Sequence, residues 1–174
     1  MTVFILPTML TNRLCLPLVI LAGLGVSTLV MADAVKDSAK PELSDDEKPF
    51  LELANQARTK AKLPPLSINP QLLKAARDHA SNMAKKCEMN HVLDGKDPPQ
   101  RVKSQSYEYE KVAENIASCE KGTPSDVFKN WMETQHNKEN ILNEEFKEVG
   151  IGVAKNDKGE FYYTLVFAVA RAKR

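Results

Sequence analysis

The closing stretch of the chain constrains its fold most. Val149, Ile151 and Val153 alternate with glycine and alanine, Asn156-Asp157-Lys158-Gly159 supplies a turn, and Phe161 to Val169 is dense in branched and aromatic residues. That pattern specifies a β-hairpin. The segments before it carry mainly a helical period. Phe50, Ala54, Ala57 and Ala61 predict a first helix that stops at Leu63, ahead of Pro64-Pro65. Asn69-Pro70 is a cap followed by a first-turn proline, and Leu72, Leu73, Ala76, Ala80 and Met83 extend that helix to about Lys86. Cys87 to Pro99 reads as a loop, followed by a short helix from Pro99 to Gln105. Tyr109 to Ser118 reads as extended. Thr123-Pro124 with Asp126 opens a third helix that carries the chain to His136, its apolar face made of Val127, Phe128, Trp131 and Met132. The charged stretch from Asn137 to Glu148 reads as a solvated surface around Ile141, Leu142 and Phe146. Helices first and a hairpin last, with no βαβ alternation, argue for an α+β domain.

The N-terminal part differs in composition. Residues 1–34 carry almost no charge: Arg13 precedes an apolar run from Leu14 to Met31, and Ala32-Asp33-Ala34 has the small-x-small form of a signal peptidase site. This predicts export, to the periplasm or the medium. A run of about 18 apolar residues is also long enough for an uncleaved membrane anchor, the one route by which a membrane enters this reading. Residues 35–46, charged and holding Ser38, Pro41 and Ser44, read as a flexible linker, with the domain proper over 47–174. With 24 basic and 23 acidic residues, and no basic block, nucleic acid is excluded as a partner class.

Export would leave Cys87 and Cys119 as an even pair in an oxidising compartment, which predicts a disulfide; two independent buried thiols are the alternative. No further cysteine lies near either, so a zinc finger is excluded. Three other residues have chemistry to offer. His91, Glu114 and His136 are of the types that bind divalent metals or carry protons, but their separations are long and non-helical, so spacing alone does not bring them together.

Six ordered strings suggest what would. NQARTKAKLPPL at 55–66, AARDHASNMA at 75–84, NHVLDGKDPPQRVKSQSYEY at 90–109, VAENIA at 112–117, WMETQHNKENIL at 131–142 and EVGIGVA at 148–154 resemble the CAP superfamily. That superfamily comprises the cysteine-rich secretory, antigen 5 and pathogenesis-related-1 proteins, and the likeness is to its bacterial, extracellular SCP-like form. The resemblance implies a three-layer α-β-α sandwich around a small, largely antiparallel sheet. It also implies a cleft where His91, Glu114 and His136 meet as ligands of a divalent metal, zinc foremost. The family's second glutamate falls at Thr134, with Glu133 one residue away as a substitute candidate. Gln135, Ala113 and Ser106 stand where the family often has glycine, and Asn137 where it has arginine.

Two functions follow from that expectation. One is an exported binding or interaction module for a protein, lipid or cell-envelope ligand. The other is a metal-dependent hydrolase of peptide or envelope substrates in which Glu114 acts as base toward a metal-bound water. The chain has no H-E-x-x-H and no G-x-S-x-G, which favours the first. The plain alternative for the trio is a hydrogen-bonded polar cluster in which Glu114 orients an imidazole. His79, beside the apolar stripe of the second helix, reads as a packing or capping residue. Asn55 and Arg58 read as ties from the first helix to a neighbouring loop, and Tyr107 and Tyr109 as candidates for the cleft mouth.

Overall fold

The computed structural model describes residues 42–172. The expected export signal and most of the expected linker lie outside them. The described segment 42–46 is tied to the domain: Leu43 packs against the main core, and the Glu42 carbonyl accepts a hydrogen bond from Arg77.

The elements run α1 (Lys48–Lys60), β1 (Ser67–Ile68), α2 (Pro70–Lys86), α3 (Pro98–Ser104), β2 (Tyr109–Cys119), α4 (Pro124–Glu133), α5 (Gln135–Leu142), β3 (Glu148–Lys155) and β4 (Phe161–Ala170). The sheet has the order β1-β3-β4-β2, antiparallel except where β1 pairs with β3. Helix starts follow their caps. Asn69 accepts from the backbone of Gln71 and Leu72, and Asp97 with Gln100 and Thr123 with Asp126 form reciprocal capping boxes.

Alternation along β4 makes the three layers. Tyr163, Leu165 and Phe167 pack with Phe50 of α1, Phe128 and Trp131 of α4 and Ile141 of α5. Val166 and Ala168 point to the other face, against Leu72, Ala75 and Ala76 of α2 and Val102 of α3. The α2 layer lies unusually close to β3. A Cβ placed on Gly150 would sit 2.0 Å from the Leu72 backbone, and one on Gly152 would sit 2.3 Å from the Ala76 carbonyl oxygen. The glycines between the branched residues of β3 are therefore the seat of α2.

Arg58 ties the α1 layer to the segment ahead of β3. Its guanidinium is fully buried, faces no carboxylate among the described residues, and donates to the carbonyls of Pro64, Ile141, Asn143 and Phe146 at 2.8 to 3.0 Å. Asn55 bonds both the N–H and the carbonyl of Leu66. Both residues thus act as the expected helix-to-loop ties.

Several expectations need correction. The third helix does not continue to His136: Thr134 adopts an extended conformation, ends α4 and begins α5. The stretch after Asn137 is then not simply a solvated surface, because α5 buries Asn140 and Ile141. Tyr107 lies buried in the α2–α3 layer and donates to Glu148 at 2.5 Å, away from any cleft mouth. The expected Cys87–Cys119 disulfide is not formed. Cys87 ends α2 beside Asn156 of the β3–β4 turn, whereas Cys119 packs into the core on the opposite face of the sheet. Ser106 holds a φ of 60°, a left-handed conformation that glycine adopts more easily than other residues.

The glycine seat yields a first prediction. Gly152→Val should lower the unfolding free energy by about 3 kcal/mol or more, because α2 must lift off β3 to admit the side chain. Urea denaturation measures this; a loss under about 1 kcal/mol would mean that α2 is not held by this contact.

Candidate functional site

β2 alternates like β4, and that decides what meets what. Glu114 lies opposite Val166 and points to the α2 side; its neighbour Asn115 lies opposite Leu165 and points to the α5 side. There Asn115 donates to the Asn137 carbonyl and accepts from Asn140, fixing α5 beside β2.

The Glu114 side chain is 1% exposed, and a carboxylate so deeply buried requires a cation or strong donors. Arg101 of α3 supplies both. Its Nη2 donates to Glu114 Oε2 at 2.5 Å, and its Nη1 donates to the carbonyls of His91 and Lys96 at 2.8 Å each. One guanidinium thus neutralises the carboxylate and clamps both ends of the 91–96 loop, in which Asp94 and Gly95 take positive φ. His91 Nδ1 lies 2.8 Å from Glu114 Oε1, while half of its side chain is exposed. Glu114 therefore fixes the orientation of a ring whose other edge faces outward.

His79, one turn beyond the α2 residues seated on Gly152, reaches the same carboxylate. It is 1% exposed, its Nε2 lies 3.8 Å from Glu114 Oε1, and neither ring nitrogen makes a hydrogen bond of normal geometry. Burial pushes its pKa down to about 4, against the pull of Glu114 and with the help of Arg101. The ring is neutral in the fold at neutral pH.

Of the expected trio, the structure unites His91 and Glu114. His136 stands exposed in the first turn of α5 and makes no hydrogen bond or ion pair among the described residues. Glu133 is also exposed and faces Lys129. No group of three His, Cys, Asp or Glu side chains among the described residues is placed to hold a metal ion. Glu114 is hydrogen-bonded at one oxygen to His91 and at the other to Arg101, and His136 contacts neither His91 nor Glu114 by a hydrogen bond among the described residues. The residue that sequence reasoning passed over is Arg101, which carries no local signal beyond its place in the 90–109 string; His79, read as a packing or capping residue, is buried, and its approach to Glu114 was not foreseen.

His79 gives the second prediction. An unfolded chain takes up this proton near pH 6.5 and the folded one only near 4, so the unfolded state binds more protons between those values. Stability should fall as pH drops through that window. His79→Phe should flatten this part of the stability–pH curve measured by urea denaturation; an unchanged slope would show that the ring is not held neutral by burial.

Comparison with known proteins gives the family and agrees with the fold. The family model for the cysteine-rich secretory protein family, CAP, matches residues 51–168. The uncharacterized protein YkwD of Bacillus subtilis is 36% identical over 120 residues, which span 68% of this chain and 46% of that protein, a little under half its length. Among solved structures, an outer surface protein of Borrelia burgdorferi superposes with a TM-score of 0.69 at 22% identity, covering 76% of this chain and 98% of that one. An extracellular SCP-domain protein of Bacillus anthracis gives 0.62 at 22% identity, covering 74% of this chain and 45% of that one. The chain belongs to the cysteine-rich secretory protein, or CAP, family.

Proposed function

We propose that this protein is an exported CAP-family binding module that recognises a protein or cell-envelope partner through its 88–92 loop. The carrying observation is the state of Glu114: buried, with its oxygens hydrogen-bonded to Arg101 and His91, it serves to hold and present an imidazole at the surface. That favours the binding reading over the hydrolase. Met89 and Val92, 51% and 49% exposed, flank His91 and are the large hydrophobic residues left exposed among the described residues. An apolar pair around a fixed imidazole suits a partner that offers an apolar group next to a hydrogen-bonding one. A groove of about 330 Å³ runs from Met89 along Ile116 to Trp131 and Asn137, giving such a partner a path along β2. Export rests on the N-terminal signal pattern, and the extracellular and outer-surface relatives agree with it.

The test is co-sedimentation of the purified protein with insoluble peptidoglycan, casein-coated beads and phosphatidylglycerol vesicles. Wild type should be retained, and Met89→Ser with Val92→Ser should weaken retention by about tenfold at an unchanged melting temperature. Retention unaffected by those substitutions would place recognition elsewhere. Chelator-sensitive turnover of casein or peptidoglycan, lost in His91→Ala and His136→Ala, would replace this reading with the hydrolase.

A further inference from the structure

One edge of the sheet is β2, and the register shows which of its backbone groups turn outward. The carbonyls of Lys147 and Val149 accept from Ser67 and Asn69, so odd residues of β3 face β1 and even ones face β4. Carried through the pairs Gly150↔Val166 and Glu114↔Val166, that alternation turns the even residues of β2 away from β4. The 3.0 Å hydrogen bond from Trp131 Nε1 to the Ile116 carbonyl, made from outside the sheet, agrees. Ile116 keeps its N–H, and Ser118 both its N–H and its carbonyl, without a partner among the described residues; both residues are half-buried. Strand edges invite pairing with another chain, and proteins guard them with charges, bulges or short strands. Here the guards stand elsewhere. β2 begins with an irregular register at Tyr109–Lys111 and with exposed Glu110 and Lys111, and the opposite edge of the sheet is the two-residue β1. From Ile116 to Cys119 there is neither a charged residue nor a proline.

The groove of about 330 Å³ runs beside this unguarded stretch, between Met89 on one side and Asn130, Trp131 and Thr134 on the other. Met89 follows α2, and α2 and α4 lie on opposite faces of the sheet, so a groove lined from both passes around the free edge of β2. We infer that residues 116–118 of β2 take up an extended peptide segment of a protein partner as an added antiparallel strand. Ser118 exchanges two hydrogen bonds with one peptide residue, and Ile116 N–H donates to the carbonyl of the residue two further along. A parallel strand suits this edge less well, because its central bond would need the Ile116 carbonyl, which Trp131 holds. Lipid and glycan chains offer no row of N–H and C=O groups at strand spacing to match. The Ile116 side chain packs on the α2 face, so peptide residues paired with Ile116 and Ser118 point to the Met89 side, and the residue between them faces Asn130 and Thr134. The favoured segment therefore alternates apolar with small polar residues. This assignment rests on the 88–92 surface being a recognition surface and fixes the form in which its partner binds.

Calorimetry of the purified protein with the end-blocked heptapeptide Glu-Val-Thr-Val-Thr-Val-Glu tests this. It should bind with Kd below about 1 mM. N-methylation of its valines, whose N–H groups face β2 in the assigned register, should weaken binding by at least about tenfold, and N-methylation of its threonines, whose N–H groups face away, should leave it unchanged. Ser118→Pro removes an outward N–H and no ladder bond, so it should weaken binding by a similar factor at an unchanged melting temperature. No saturable binding of the heptapeptide would overturn the inference, as would equal tolerance of the two methylated forms, which needs no change in the protein to read. A wild-type dimer in sedimentation velocity that Ser118→Pro dissociates would assign the edge to a second copy of the chain and overturn it too. Retention on casein-coated beads that is lost in Met89→Ser with Val92→Ser but kept in Ser118→Pro would overturn this inference and leave the loop reading standing. Failure of the loop reading looks different: wild type is then retained on none of the three matrices, and this inference falls with it.

Discussion

A buried carboxylate must be answered by a positive charge, and the pairing of Glu114 with Arg101 organises this protein around that requirement. Glu114 arrives on β2 pointing into the α2–α3 layer, where water cannot reach it. Arg101 answers it from α3, a helix of two turns anchored by its own capping box. The same guanidinium reaches back to the His91 and Lys96 carbonyls, so the ion pair also fixes the course of the loop that carries the exposed residues. The glycine seat on β3 matters for the same reason. With Gly150 and Gly152 lacking side chains, α2 sits low enough for His79 to come within 3.8 Å of Glu114.

Much of the scaffold could be read from the sequence. The hairpin, α1, α2, the capped start of α4 and the extended β2 follow from periodicity and cap chemistry, which are local signals. The two-residue strand β1 was not legible, since it exists only by pairing with β3 some eighty residues later. Nor was the break at Thr134, because the residues before and after it all suit a helix and α5 is set by Asn115 bonding Asn137 and Asn140 from another strand.

The site was legible in part. The resemblance pointed to His91, Glu114 and His136; the first two share a hydrogen bond, and His136 stands exposed in the first turn of α5. Arg101 escaped notice because its role comes from tertiary contacts, and an arginine on a short helix gives no local sign of them; His79 was read as a packing or capping residue, and only the fold brings it near Glu114. The disulfide failed for a similar reason. Two cysteines satisfy a counting argument, but Cys87 and Cys119 lie on opposite faces of the sheet, and counting says nothing about faces.

Glu114 holds His91 at the surface between two exposed apolar residues, and the buried ring of His79 covers the same carboxylate from α2. All of this rests on the ion pair being a coupled unit. The most direct test is a double-mutant cycle in urea with Arg101→Met, Glu114→Gln and their combination. The account predicts that Arg101→Met alone costs about 3–5 kcal/mol, by stranding a buried charge, and that the double variant recovers at least about 2 kcal/mol of the summed single losses. Losses that add to within about 0.5 kcal/mol would contradict it, showing that Glu114 and Arg101 are neighbours without being partners.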